Sequence, residues 1–264
     1  MKFFTLPPAS NLNLMDLGTA GHFCLAHLYL TDPDYRSHFL HIRQRPNSFI
    51  LLDNGAAEHS LVSEEVLLRI VEELRPDEVI APDVLNNYEQ TIHNLHSFMD
   101  AMQKRGLLEH TNIFFCPQGD NMGEWMKAYI HGLETPEVST IGLSKIALPH
   151  CMFKAKDDQL IASSRRQTLI ALDNLTLIQK PLHLLGAETP LEFSSHPVYS
   201  KVRSTDSCLS VWSAMNGQNW ESREQSAFQR IPTPHDYFDR EMTAEDIALA
   251  KLNINFLERI VSNV

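Results

Sequence analysis

Eight short apolar runs, separated by stretches with helical periodicity, constrain this chain more than any other feature. They are 2–6 (KFFTL), 22–30 (HFCLAHLYL), 49–53 (FILLD), 78–83 (EVIAPD), 112–118 (NIFFCPQ), 139–145 (STIGLSK), 181–187 (PLHLLGA) and 201–207 (KVRSTDS). Several are near-continuous and rich in β-branched or aromatic residues, as expected of strands buried on both faces. Between them, residues 62–74 set Val66, Ile70, Val71 and Leu74 on one helical face and glutamates on the other. Ser63 is placed to cap that helix and Arg75-Pro76 to end it. Residues 88–105 repeat the pattern with Ile92, Leu95, Phe98, Met99 and Met102, and 121–132 and 163–177 also read as helices. A last helix starts at Thr243, with Ile247, Ala250, Ile254, Leu257 and Val261 as its apolar stripe.

Eight strands alternating with helices predict an α/β fold, a (β/α)8 TIM-like barrel. The 264 residues match the ~250 such a barrel takes. An open doubly wound sheet is the alternative, but no G-x-G-x-x-G follows the first strand. The chain reads as one barrel domain over 1–264, with a helical extension from about 208.

No apolar run approaches the ~20 residues of a membrane helix. The opening MKFFTLPPASN is too short and too broken by Pro7 and Pro8 for a secretory signal. A cytoplasmic protein with no membrane partner is expected. Cys24, Cys116, Cys151 and Cys208 are scattered without a C-x-x-C, so buried free thiols are expected rather than disulfides or structural zinc. The net charge of −11 argues against a chain that holds nucleic acid with its whole surface. Only residues 144–203 have the opposite sign. There Lys145, Lys154, Lys156, Arg165, Arg166, Lys180, Lys201 and Arg203 face Asp157, Asp158, Asp173, Glu188 and Glu192, a net of +3. Either this is an ordinary solvated face or it carries a polyanion.

In a parallel barrel the site is built at the C-terminal ends of the strands. Those ends carry Asp53-Asn54-Gly55, Asp83, Gln118-Gly119, Gly142-Leu143, Gly186 and Asp206. One strand-end Asp would be a helix cap. Three on one rim, joined by a carboxamide, point to a site. Three carboxylates can ligate a divalent cation, and two can run glycoside-type displacement. A glutamine offering donor and acceptor, beside an aspartate that accepts from a ring N–H and an amino group, favours reading a guanine-like edge.

The ordered series LLDNG, APDVLNN, FCPQGD, IGLSK, LLGAETP and STDSC, over about 49–208, resembles the tRNA-guanine transglycosylase superfamily. LDNG and PDV resemble its shorter phage-type members, which insert 7-deazaguanines into DNA. The resemblance implies Asp206 as nucleophile and Asp53 as acid/base carboxylate. It implies Asp83, Gln118, Gly142 and Leu143 as base-reading residues and Gly186 as a pocket-floor glycine. Two positions depart from the pattern: Ala57 stands where the family has an aromatic residue and Glu58 where it has Gln. The Cys-x-Cys-x-x-Cys…His zinc module of the tRNA enzymes is missing, which favours DNA over tRNA as the polymer and implies no metal. The chemistry requires no redox cofactor or nucleoside triphosphate. Lys145, Lys154, Arg165, Arg166 and Arg203 are the expected polymer contacts, with a free 7-deazaguanine as the small-molecule partner. A 7-deazaguanine nucleosidase of the same fold and a non-catalytic nucleic-acid-binding subunit are the competing readings. The second needs neither Asp53 nor Asp206.

Other polar residues read as structural. His93 and His96 form H-x-x-H without an evident third ligand, and His150-Cys151 sits in an apparent loop. His27 reads as a core histidine or one facing the site, and Trp212 and Trp220 as packing residues.

Overall fold

A computed structural model describes residues 1–56, 62–154, 160–187, 189–194, 196–222 and 231–263. Ala57, Glu58, Lys156, Asp157, Asp158 and Glu188 lie outside the described residues. The strands are β1 (Lys2–Thr5), β2 (His22–Leu25), β3 (Ile50–Asp53), β4 (Glu78–Ile80), β5 (Asn112–Phe115), β6 (Val138–Ser144), β7 (Leu182–Leu185) and β8 (Ser204–Ser207). They form one sheet in the order β1-β8-β7-β6-β5-β4-β3-β2. The sheet is all parallel and alternates with helices, so the fold is α/β, a (β/α)8 TIM-like barrel.

The helices are α1 (Ala26–Thr31), α2 (Pro33–Arg43), α3 (Glu64–Leu74), α4 (Tyr88–Lys104), α5 (Met122–Glu134), α6 (Ala147–Phe153), α7 (Ile161–Asn174), α8 (Leu191–Ser194), α9 (Leu209–Met215) and α10 (Ala244–Ser262). Local chemistry explains their ends. Ser63 Oγ accepts from Val66 N–H to start α3, and Arg75 ends it in the left-handed region at φ 49°. Asn87 and Asn121 cap α4 and α5 in the same way. Thr243 and Asp246 form a reciprocal capping box on α10.

The run 22–30 is strand only to Leu25 and helix from Ala26, so His27 lies in α1. A short apolar run does not distinguish a buried strand from a buried helix turn. Residues 147–153, which include His150-Cys151, are helix rather than loop.

The chain divides into two compact units, Cys24–His183 and Met1–Phe23 with Leu184–Val264. In the first, β3, β4, β5 and β6 pair in register, with an irregularity at Ile113/Phe114. Their side chains Ile50, Leu51, Leu52, Val79, Ile113, Phe114 and Ile141 are fully buried. At the N-terminal end of β4, buried Glu78 accepts from Thr140 Oγ1 at 2.7 Å. In the second unit, β1 pairs with β8, setting Phe4 opposite Asp206. Helix α10 packs on α9 and β1. Asn253, buried in the middle of α10, donates to the carbonyls of Ser210 and Gln218 and accepts from Trp220 N–H.

Candidate active site

In the unit Cys24–His183, the ends of β3, β4 and β5 carry a connected polar cluster. Asp53 is the last residue of β3 and its Oδ2 accepts from Gly55 N–H at 2.9 Å. Asn54, 1% exposed, follows it. Its Nδ2 donates to Asp83 Oδ1 at 2.8 Å and to Ala81 O at 2.9 Å, while its Oδ1 accepts from Ala56 N–H. Gln118 Nε2 donates to the other Asp83 oxygen at 2.6 Å. Its Oε1 accepts from the backbone N–H of Asn86, which sits in the left-handed region at φ 61°. Asp83 is thus gripped on both oxygens by carboxamides from neighbouring strand ends.

The electrostatics of the cluster follow from burial. Desolvation raises the Asp83 pKa from its ordinary value, and the Asn54 and Gln118 donors pull it back only in part. The buried Cys116 thiol is raised by desolvation and then by Asp83 and Asp53, and the Cys24 thiol by desolvation and then Asp53. Both thiols are therefore held protonated, as structural rather than nucleophilic groups.

Gly142 and Leu143 lie in the C-terminal part of β6, both buried. Gln118 is less available to a ligand than its sequence position suggests. Its Nε2 serves Asp83 and makes a 3.6 Å contact to Cys116 Sγ. Donation to a base carbonyl requires it to release only that weak sulfur contact. Two partners escaped the sequence reading. Asn54 was visible as a strand-end residue but had no assigned role, and Asn86 acts through its backbone, which leaves no side-chain signature.

In the other unit, Asp206 lies near the C-terminal end of β8, 8% exposed. Its Oδ1 accepts from Gly186 N–H at 2.9 Å, and its backbone carbonyl accepts from Ala187 N–H at 2.7 Å. Gly186 has φ +71°, a conformation that side chains with a Cβ rarely adopt, and this turn aims its N–H at the carboxylate. Gly186 is therefore a positioning donor to Asp206. Ser207 Oγ ties the end of β8 to Ala187 O and to Leu209 N–H.

The expected polymer contacts differ in exposure. Arg165 is fully buried within α7. Its helix turns that position inward, so it is not on a phosphate-binding surface, whereas neighbouring Arg166 is half-buried. Arg203 immediately precedes β8, at the opposite end of that strand from Asp206. Three residue steps along the chain carry their backbones about 10 Å apart. Lys145 is half-buried in the turn after β6. Lys154 ends α6 and pairs with Asp120 at 2.8 Å, where His150 Nε2 also meets the Asp120 carboxylate. Lys154 and then His150 hold the Asp120 carboxyl below its ordinary range. Cys151 Sγ donates to Gly119 O, so α6 braces the loop after β5.

All four cysteines are free, and Cys208 is partly exposed rather than buried. Trp212 and Trp220 are packed. Trp212 Nε1 donates to the carbonyls of Ile231 and Pro232, and Trp220 meets Phe256 edge-on. No described helix is long and apolar enough to cross a membrane.

A scan against protein-family models and a search of curated proteins give no match.

Proposed function

We propose that the protein is a base-exchange transglycosylase, replacing guanine in DNA with a 7-deazaguanine through a covalent glycosyl intermediate on Asp206. The observation that carries this reading is the buried Asp83, gripped on both oxygens by Asn54 and Gln118. An ionised carboxylate has about four acceptor positions. Asp83 also accepts from its own backbone N–H and from the Cys116 thiol, and a ring N–H with an exocyclic amino group, the donor pair of a guanine-like edge, would take the place of those two.

Asp206 is suited to in-line attack on a sugar because Gly186 N–H fixes one of its oxygens. In the first step an Asp206 oxygen bonds to C1′ as the C1′–N9 bond breaks, and the electron pair leaves on guanine N9. The family resemblance gives the Asp53 carboxyl the role of protonating that nitrogen. In the second step the incoming 7-deazaguanine returns a proton from N9 to Asp53, bonds to C1′ and releases Asp206. The target nucleotide must leave its helix stack to be reached, which costs a few kcal/mol.

The test is mass spectrometry of nucleosides from DNA and tRNA of cells expressing the protein, with and without a 7-deazaguanine supply. Modified nucleosides in DNA support the reading, and modification confined to tRNA replaces the polymer. Guanine release without uptake of free base points to a nucleosidase. With Asp206→Asn, which retains Oδ1 for the Gly186 donor, exchange and the denaturation-resistant protein–DNA adduct should both vanish. Exchange at near wild-type rate in that variant rules out Asp206 as nucleophile.

A further inference from the structure

We propose that His96 on α4 and His131 on α5 form a surface site for a divalent transition-metal ion of the copper(II) or nickel(II) type. Their Nε2 atoms face each other at 2.9 Å, with ring planes 85° apart. The two helices are packed neighbours in the same unit, and both rings reach solvent. The partner of His96 lies across the helix interface, on α5, and is not His93 on its own helix.

A neutral imidazole has one protonated nitrogen and one lone pair. In the metal-free protein the 2.9 Å contact is one N–H···N hydrogen bond, which forces different tautomers on the two rings. With both protons on Nδ1, two lone pairs instead converge on one solvent-accessible point. Two nitrogens bound at a right angle, each ~2.0–2.1 Å from one ion, lie about 2.9 Å apart, whereas a tetrahedral angle sets them about 3.3–3.4 Å apart. The separation matches adjacent positions of a square-planar or octahedral ion, the preference of copper(II) and nickel(II), rather than tetrahedral zinc.

Water supplies the other positions, because the described residues hold no group of three or more His, Cys, Asp or Glu arranged for a metal. Exposed His93 and Asp100 lie a turn to either side of His96, and exposed Lys127 and Glu134 a turn to either side of His131.

The experiment titrates untagged full-length protein with nickel chloride, and separately with zinc chloride, by calorimetry at pH 7.5. His96→Gln, His131→Gln and, as a control, His93→Gln are titrated in parallel, with thermal melts of metal-free samples to confirm folding. The expected result is one nickel site in wild type and His93→Gln that weakens at least tenfold in each of the other two variants. Nickel should also raise the melting temperature only where both His96 and His131 are present, because the ion then links two helices. Unchanged nickel stoichiometry and affinity in His96→Gln and His131→Gln overturns the site. Loss on His93→Gln equal to that on His131→Gln moves it to α4 alone, and zinc binding tighter than nickel overturns the geometric assignment.

Discussion

Asp83 shows how a single buried carboxylate is tuned by its neighbours. Its folded pKa is raised by desolvation, and the Asn54 donor works against that rise. A carboxyl with a raised folded pKa binds more protons folded than unfolded. Its contribution to stability is fully present below the unfolded value of about 3.9 and is lost as pH climbs through the folded value. Urea denaturation from pH 4 upward should therefore show wild type losing stability relative to Asp83→Asn. Asn54→Ala removes a donor that favours the charged form, so its loss should continue to higher pH. The substitution should also cost about 1–3 kcal/mol near neutrality, the scale of leaving a buried polar group unmatched. Parallel pH profiles for Asp83→Asn, Asn54→Ala and wild type would contradict this assignment of the shift.

Helix α7 shows what an element decides about its own charges. Arg165 and Arg166 are adjacent, yet one is fully buried and the other half-buried, because neighbouring residues on a helix point about 100° apart. They should behave as different kinds of residue. Arg165→Ala should lower stability by about 1–3 kcal/mol, the scale of losing a fully buried side chain. Arg166→Ala should melt within ~0.5 kcal/mol of wild type. If Arg166 touches a phosphate, its removal should flatten the log–log salt slope of duplex DNA binding by about 0.9. An Arg165→Ala protein as stable as wild type would mean that the buried guanidinium contributes nothing to the fold. The mirrored case is β8, where Arg203 and Asp206 share a short run but occupy opposite ends of one strand.

At the scale of the molecule, one compact unit is assembled from the two ends of the chain. β1 pairs with β8, the Met1 amine donates to Val261 O, and Thr19 N–H donates to the Glu258 carboxylate. The last two contacts span more than 230 residues in sequence, so this unit closes only when the last helix is in place, a long-range and intrinsically slow pairing. Because the ends meet, a circular permutant is expected to fold. Joining 264 to 1 through a short flexible linker and reopening at Gly106, where the turn is exposed and a Cβ would meet nothing within 4 Å, should preserve the circular dichroism spectrum and cooperative unfolding. Deleting α10 should instead expose β1 and α9 and yield aggregated protein. A soluble, cooperatively folding deletion would show that the cap is dispensable.

The strand and helix alternation was legible in the residues because hydrophobic periodicity is a local property of the chain. The eight runs, the Ser63 and Thr243 caps and the strand-end positions of Asp53, Asp83, Gln118 and Asp206 all follow from it. The end of β2 did not, since four buried residues followed directly by a helix look like one longer run. Whether a charge is inside or outside was decided only in three dimensions, as Arg165 shows, because helix phase alone does not say what packs over it. The Asn54–Asp83–Gln118 grip and the His96–His131 contact were decided there too. Each joins residues 29 or 35 positions apart, and hydrogen bonds across strands and helices depend on register and packing that no local pattern encodes.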